Sequence, residues 1–233
     1  FFQAEDGIRD RSPSRGLGKM CIRDRSKTMV YYENQNSCCL VEKDDEPPHD
    51  LETKAKETAL LISSALDSKI FSEIHVMRKT VIDGSNTSGF QRTMLVAQGG
   101  SIVVDEKQVG VQSICLEEDA AKLIKDEDDH RFFSLDRLGV PLVEIALEPV
   151  TGSPAFVRKI ALSLGRLLRV TKKVARGIGT IRQDVNVSID GGGVVEIKGV
   201  QQLEQLEKII EYEAKRQYGL KLISEKINSL GTY

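Results

Sequence analysis

The chain has 233 residues, with 33 Lys and Arg against 35 Asp and Glu, 40% hydrophobic residues and 5% aromatic ones, a balance that excludes a disordered or a collagen-like chain. A net charge of −2 excludes nucleic-acid binding over the whole surface, so any such contact must come from a local patch. No run approaches the roughly 18 uninterrupted apolar residues of a membrane span, and nothing near the start reads as a secretory leader, so a soluble, cytoplasmic protein is expected.

Residues 1 to 26 stand apart, because Ile-Arg-Asp-Arg-Ser occurs twice there, at Ile8 to Ser12 and at Ile22 to Ser26. Two copies are too few for a solenoid, and neither has a helix or strand period. One reading is a disordered polar tail. The other is a non-native segment, since the stretch resembles translated sequencing-adapter read-through. Cys21, Cys38, Cys39 and Cys115 form neither a disulfide framework nor a paired zinc pattern and read as reduced, mostly packing residues.

From residue 27 onward the length suits one large domain, or one and a half. Pro47-Pro48 stops any helix and marks a turn. Over Glu52 to Asp67 the spacing of Ala55, Ala59, Ile62 and Leu66 predicts an amphipathic helix. Strands are predicted over Glu73 to Ile82 and Arg92 to Ala97, a hairpin over Ser101 to Val104 and Val109 to Leu116, and a strand over Pro141 to Leu147. Ser153-Pro154 opens a helix with a hydroxyl cap and Pro at its first position. Asp184 to Ile189 and Val194 to Lys198 make a second hairpin, and a last helix runs from Gln202 to Gln217 before Gly219. Adjacent antiparallel pairs dominate over βαβ alternation, so the class is α+β, a mainly antiparallel sheet flanked by helices.

Three constellations could carry chemistry. Glu144 lies mid-strand among apolar residues, where a carboxylate is costly unless it is paired or bound to a cation. With Glu117-Glu118-Asp119 and Glu148 it makes an oxygen-rich set suited to Mg²⁺. The same residues could instead start a short helix and face solvent from an edge strand. The loop Asp83-Gly84-Ser85-Asn86-Thr87-Ser88-Gly89 offers N–H groups and hydroxyls to a phosphate, or is a plain hairpin loop. Between Arg158 and Arg182 eight basic residues, among them Arg176, occur with no acidic one. They could meet RNA phosphates or a triphosphate, or form the solvated face of a helix.

Four long segments read together carry a more specific signal: IHVMRKTVIDGSNTSGFQRT, VGVQSICLEEDAA, SLDRLGVPLVEIALEP and RGIGTIRQDVNVSI with VEIKGVQ. In these the chain resembles the family of B-type and E-type catalytic subunits of tRNA-dependent amidotransferases, and within it the archaeal E-type, from about Val30 to the end. The resemblance implies a cradle domain in which ATP and Mg²⁺ serve to phosphorylate the glutamate side chain of mischarged Glu-tRNA(Gln), before ammonia from an asparaginase-like D-type amidotransferase partner forms the amide. By motif, Glu117 and Glu144 match metal-holding carboxylates. Arg78, Lys79, Arg176 and Arg182 match segments near the pocket, as does the loop Gly84 to Gly89. No membrane or DNA partner is implied. A B-type catalytic chain, or a non-catalytic tRNA-docking module, are the alternatives. The family's GLEIHQQL-like opening, a source of further metal ligands, has residues 1 to 26 in its place, so a truncated piece, inactive alone, is expected.

Overall fold

The computed structural model describes residues 27–33, 39–177 and 180–231. The segment 1 to 26 lies outside the described residues. Alternating side chains make two long strands, β4 (Phe90–Gln98) and β6 (Lys107–Glu118), which pair antiparallel with Thr93 opposite Glu117 and Leu95 opposite Cys115. The short strands β2 (Lys69–Ile70) and β3 (Met77–Thr80) pair with successive parts of β4. Strand β9 (Pro141–Leu147) pairs with β6.

The chain divides into two compact units, one comprising residues up to Gly100 with Val111–Ala146, the other Ser101–Gly110 with residues from Leu147 onward. In the first unit α1 (Thr53–Ala65) covers one face of the sheet. Its small residues Ala55 and Ala59 pack on Met94, Val96 and Leu116, all buried, so the helical period of one element meets the two-residue period of the other. The same unit holds a three-stranded sheet of β1 (Thr28–Tyr32), β8 (His130–Ser134) and β7 (Lys122–Asp126). These three strands are not foreseen in the sequence, because KLIKD and HRFFS are short and charged. Parallel pairing of β1 with β8 stacks Tyr31 on Phe133, with ring centroids 5.8 Å apart, over buried Ala121 and Leu135.

In the second unit β5 (Ser101–Val104) returns into the start of β6 through Asp105 and Glu106, both with positive φ, so the hairpin loop is two residues and tighter than the sequence suggests. Helix α2 (Pro154–Val170) starts where predicted, the Ser153 hydroxyl accepting from the Phe156 N–H at 3.3 Å, a cap contributing about 1 kcal/mol. Ile160 of α2 packs on Val104 and Val109. The hairpin β10 (Val185–Val187) and β11 (Val195–Ile197) is also as predicted.

Helix α3 (Leu203–Ser229) does not stop before Gly219, as expected from the sequence, but runs through it. One interior Gly costs about 1 kcal/mol, too little to end a helix that good helix formers continue on either side. Gln217, 5% exposed, ties α3 to the hairpin by donating to the Val187 carbonyl at 2.9 Å and accepting from the Ile189 N–H at 3.2 Å. Among the described residues no helix is long and apolar enough to cross a membrane.

Candidate functional site

The site is built on the face of the first unit's sheet that α1 leaves uncovered. Alternation on β4 sends Met94 and Val96 to the helix and Thr93 the other way, and on β6 it sends Leu116 to the helix and Cys115 and Glu117 the other way. Lys79 of β3 stands opposite Gln91, two residues from Thr93 on β4, and so joins the same face.

These residues meet. The Thr93 hydroxyl donates to Glu117 Oε1 at 3.0 Å, and Lys79 Nζ lies 3.6 Å from the same oxygen. The Glu117 side chain is 12% exposed and Thr93 2%, so little water dilutes the carboxylate's charge. The Asp119 N–H donates to the Val140 carbonyl at 2.8 Å. Val143 of β9 packs on the α1 side with Met94 and Leu116, so Glu144, the next residue, leaves the sheet on the opposite face, the one that carries Cys115 and Glu117.

Electrostatics agree with this placement. Burial, with the Glu144 and then the Glu117 carboxylate adding to it, pushes the Cys115 thiol up to about 11, while Lys79 pulls the other way. Two carboxylates thus act on one buried thiol, which stays protonated and is no nucleophile. Their field is negative, and among the described residues Lys79 opposes it. Among the described residues no three His, Cys, Asp or Glu side chains come together as a ligand set.

The acidic triplet does not act as a unit. Glu118 faces the other side of the sheet, where Arg92 grips both carboxylate oxygens, Nε to Oε2 at 2.8 Å, and also donates to the His49 carbonyl at 2.6 Å. Asp119 pairs with Arg137 at 3.5 Å and accepts from the Ala120 N–H at 3.0 Å. The helix start allowed for the triplet is absent: strand β6 continues through Glu118.

The loop Gly84 to Gly89 joins β3 to β4, with the Val81 N–H bonded to the Gly89 carbonyl at 2.9 Å. Its polar groups are largely engaged in the fold. Thr87 donates to the Glu42 carbonyl at 2.8 Å and Ser88 to that of Phe90 at 3.1 Å, while the Gly84 carbonyl accepts from Tyr31 at 2.7 Å. Ser85 accepts through its carbonyl from the Ala121 N–H at 2.8 Å, and Asn86 is buried. Arg78 lies over the Phe90 ring, 5.3 Å from its centroid.

Arg176 and Arg182 belong to the second unit, exposed on the stretch between α2 and β10; residues 178 and 179 of that turn lie outside the described residues. The basic tract is mixed in character. Arg158 is paired with Glu207 of α3 and Lys159 with Asp105 at 2.5 Å, so these two hold the fold, whereas Arg166, Arg169 and Lys173 are exposed. The sequence alone does not single out Thr93 and marks Cys115 as packing, because neither carries a local signal. A Thr in an apolar strand becomes a site residue only through its cross-strand partner.

Comparison with known proteins adds an independent line. A family model described as the GatB/GatE catalytic domain matches residues 20–228. A relative from Methanococcus maripaludis, named as the E-type subunit of glutamyl-tRNA(Gln) amidotransferase, is 53% identical over 203 residues, covering 87% of this chain and 32% of its own. Relatives of the same name from Aeropyrum pernix and Archaeoglobus fulgidus are each 51% identical, covering 89% of this chain and 32% and 34% of theirs. The chain spans about a third of the length of the curated relatives it matches.

Proposed function

Because the chain belongs to the GatB/GatE catalytic-domain family, we propose that it supplies the ATP-dependent site of a Glu-tRNA(Gln) amidotransferase. In this reading a γ-carboxylate oxygen of the tRNA-borne glutamate attacks the γ-phosphorus of ATP, ADP leaves, and an acyl phosphate forms. Ammonia then attacks the acyl carbon, the carbon–oxygen bond to phosphate breaks, and the nitrogen loses a proton to give the amide. The name shared by the relatives supports an E-type over a B-type chain and the presence of further subunits; in this reading the ammonia comes from an asparaginase-like partner and the setting is cytoplasmic, where aminoacyl-tRNA is used.

The observation that carries the reading is the pair Glu117 and Glu144, two carboxylates on the sheet face opposite α1 that act on the same buried thiol. Two carboxylate ligands are what Mg²⁺ ordinarily takes from a protein that binds it with a phosphate substrate. Glu117 and Glu144 would hold that ion, which when bound neutralises phosphate oxygens during transfer. Lys79, beside Glu117, would meet a phosphate oxygen or balance the carboxylates. The loop Gly84 to Gly89, Arg176 and Arg182 are the further candidates for ATP or tRNA phosphate contact, as donors suited to oxyanions, whereas Arg78, opposite Arg92 in the β3–β4 register, leaves the sheet on the face away from Glu117.

The test is Glu144→Gln in the full-length protein with its amidase partner. ATP hydrolysis dependent on Glu-tRNA should be lost, while filter retention of the tRNA is kept, because the substitution neutralises a carboxylate and leaves every Arg and Lys in place. Undiminished hydrolysis would remove the metal assignment.

A further inference from the structure

Glu117 and Glu118 are neighbours with opposite fates. Both oxygens of Glu118 are occupied by the Arg92 guanidinium. In Glu117 it is Oε1 that Thr93 holds at 3.0 Å and that Lys79 approaches to 3.6 Å. A carboxylate held through one oxygen by a buried hydroxyl has the form of a metal ligand steadied from behind by an outer partner.

We propose that Thr93 is the positioning residue that fixes Glu117 as a one-oxygen ligand, an inference that rests on the metal reading above. Thr93 stands directly opposite Glu117 in the β4–β6 register, so both side chains leave the sheet on the same face at cross-strand contact distance. Its branching at Cβ stiffens the side chain and fixes where the hydroxyl points. At 2% exposure it is shielded from water that would compete for the hydrogen bond. Without the hydroxyl, the Glu117 carboxylate can rotate toward the Lys79 ammonium and pair with it through both oxygens, leaving no free oxygen aimed at the cation.

The experiment titrates Mn²⁺, a paramagnetic stand-in for Mg²⁺, into the full-length protein and reads free Mn²⁺ by electron paramagnetic resonance. Thr93→Val is nearly isosteric and removes the donor, so it should weaken Mn²⁺ binding about tenfold or more, the usual loss for an outer partner. Thr93→Ser keeps the donor and should stay within about threefold of the parent. Thr93→Ala gives the same comparison should the Val variant not fold. Parent-like Mn²⁺ affinity in the Val or Ala variant overturns the positioning role, and so does a Ser variant as weak as Val. Failure of the unsubstituted protein to bind Mn²⁺ overturns the metal reading itself, and this inference with it.

Discussion

Arg92 and Glu118 face each other across β4 and β6 and join guanidinium to carboxylate on the side of the sheet opposite Glu117. Their side chains are 14% and 23% exposed, so the pair is neither fully solvated nor sealed. The fork also fastens the loop before α1, through the His49 carbonyl. One strand thus carries a structural carboxylate and a candidate ligand side by side.

Removing Glu118 should therefore cost stability and not metal binding. Glu118→Ala leaves the Arg92 charge partly buried without its acceptor, a loss of about 2 kcal/mol for hydrogen bonds to a charged group. The urea midpoint measures it, and Mn²⁺ affinity should stay at the parent value. A stable Glu118→Ala protein that no longer binds Mn²⁺ would reverse the roles assigned to the two glutamates.

Gly84 should be intolerant of a side chain for two separable reasons. Its φ is +85°, and a Cβ there would lie 2.5 Å from Met29 Sδ. Gly84→Ala should lose about 2 to 3 kcal/mol, with backbone strain and overpacking adding. Gly89→Ala, at φ +74° with open space around it, should lose only the strain, about 1 kcal/mol. Chemical denaturation of the two variants distinguishes them, and equal losses would show that the Met29 contact does not matter.

Acid sensitivity should centre on Glu213. Its carboxylate accepts from Arg216 at 2.7 and 2.8 Å and from Gln217 at 2.9 Å, and these bonds, the arginine's first, hold it down to about 2 from the ordinary 4.5. A folded value below the unfolded one means that the stabilisation is complete above about pH 4.5 and drains away as pH falls toward about 2. The thermal midpoint of the parent should then fall more steeply between about pH 5 and pH 2.5 than that of Glu213→Gln. Parallel curves would show that another group governs the acid limb.

Local periodicity was enough for α1, α2, β9 and the existence of both hairpins, since each is specified by residues within its own span, as Ser153-Pro154 is for the start of α2; the first hairpin's turn is two residues shorter than expected. It failed for β1, β7 and β8, whose apolar residues gain burial only when parallel pairing brings Thr28–Tyr32 beside His130–Ser134, and for the end of α3, where Gly219 is a weak stop. Glu144 stood out in the sequence as a carboxylate in apolar company, and Glu117 as the head of an acidic triplet to which the family resemblance gave a metal-holding role. What the sequence could not divide was the triplet. Glu117, Glu118 and Asp119 are alike as letters, and strand alternation together with the partners Thr93, Arg92 and Arg137 gives them different work. Such partners lie on other strands or in loops, so chain order does not reveal them; the register of the sheet does, because a shift by one residue would exchange the two faces and with them the two roles.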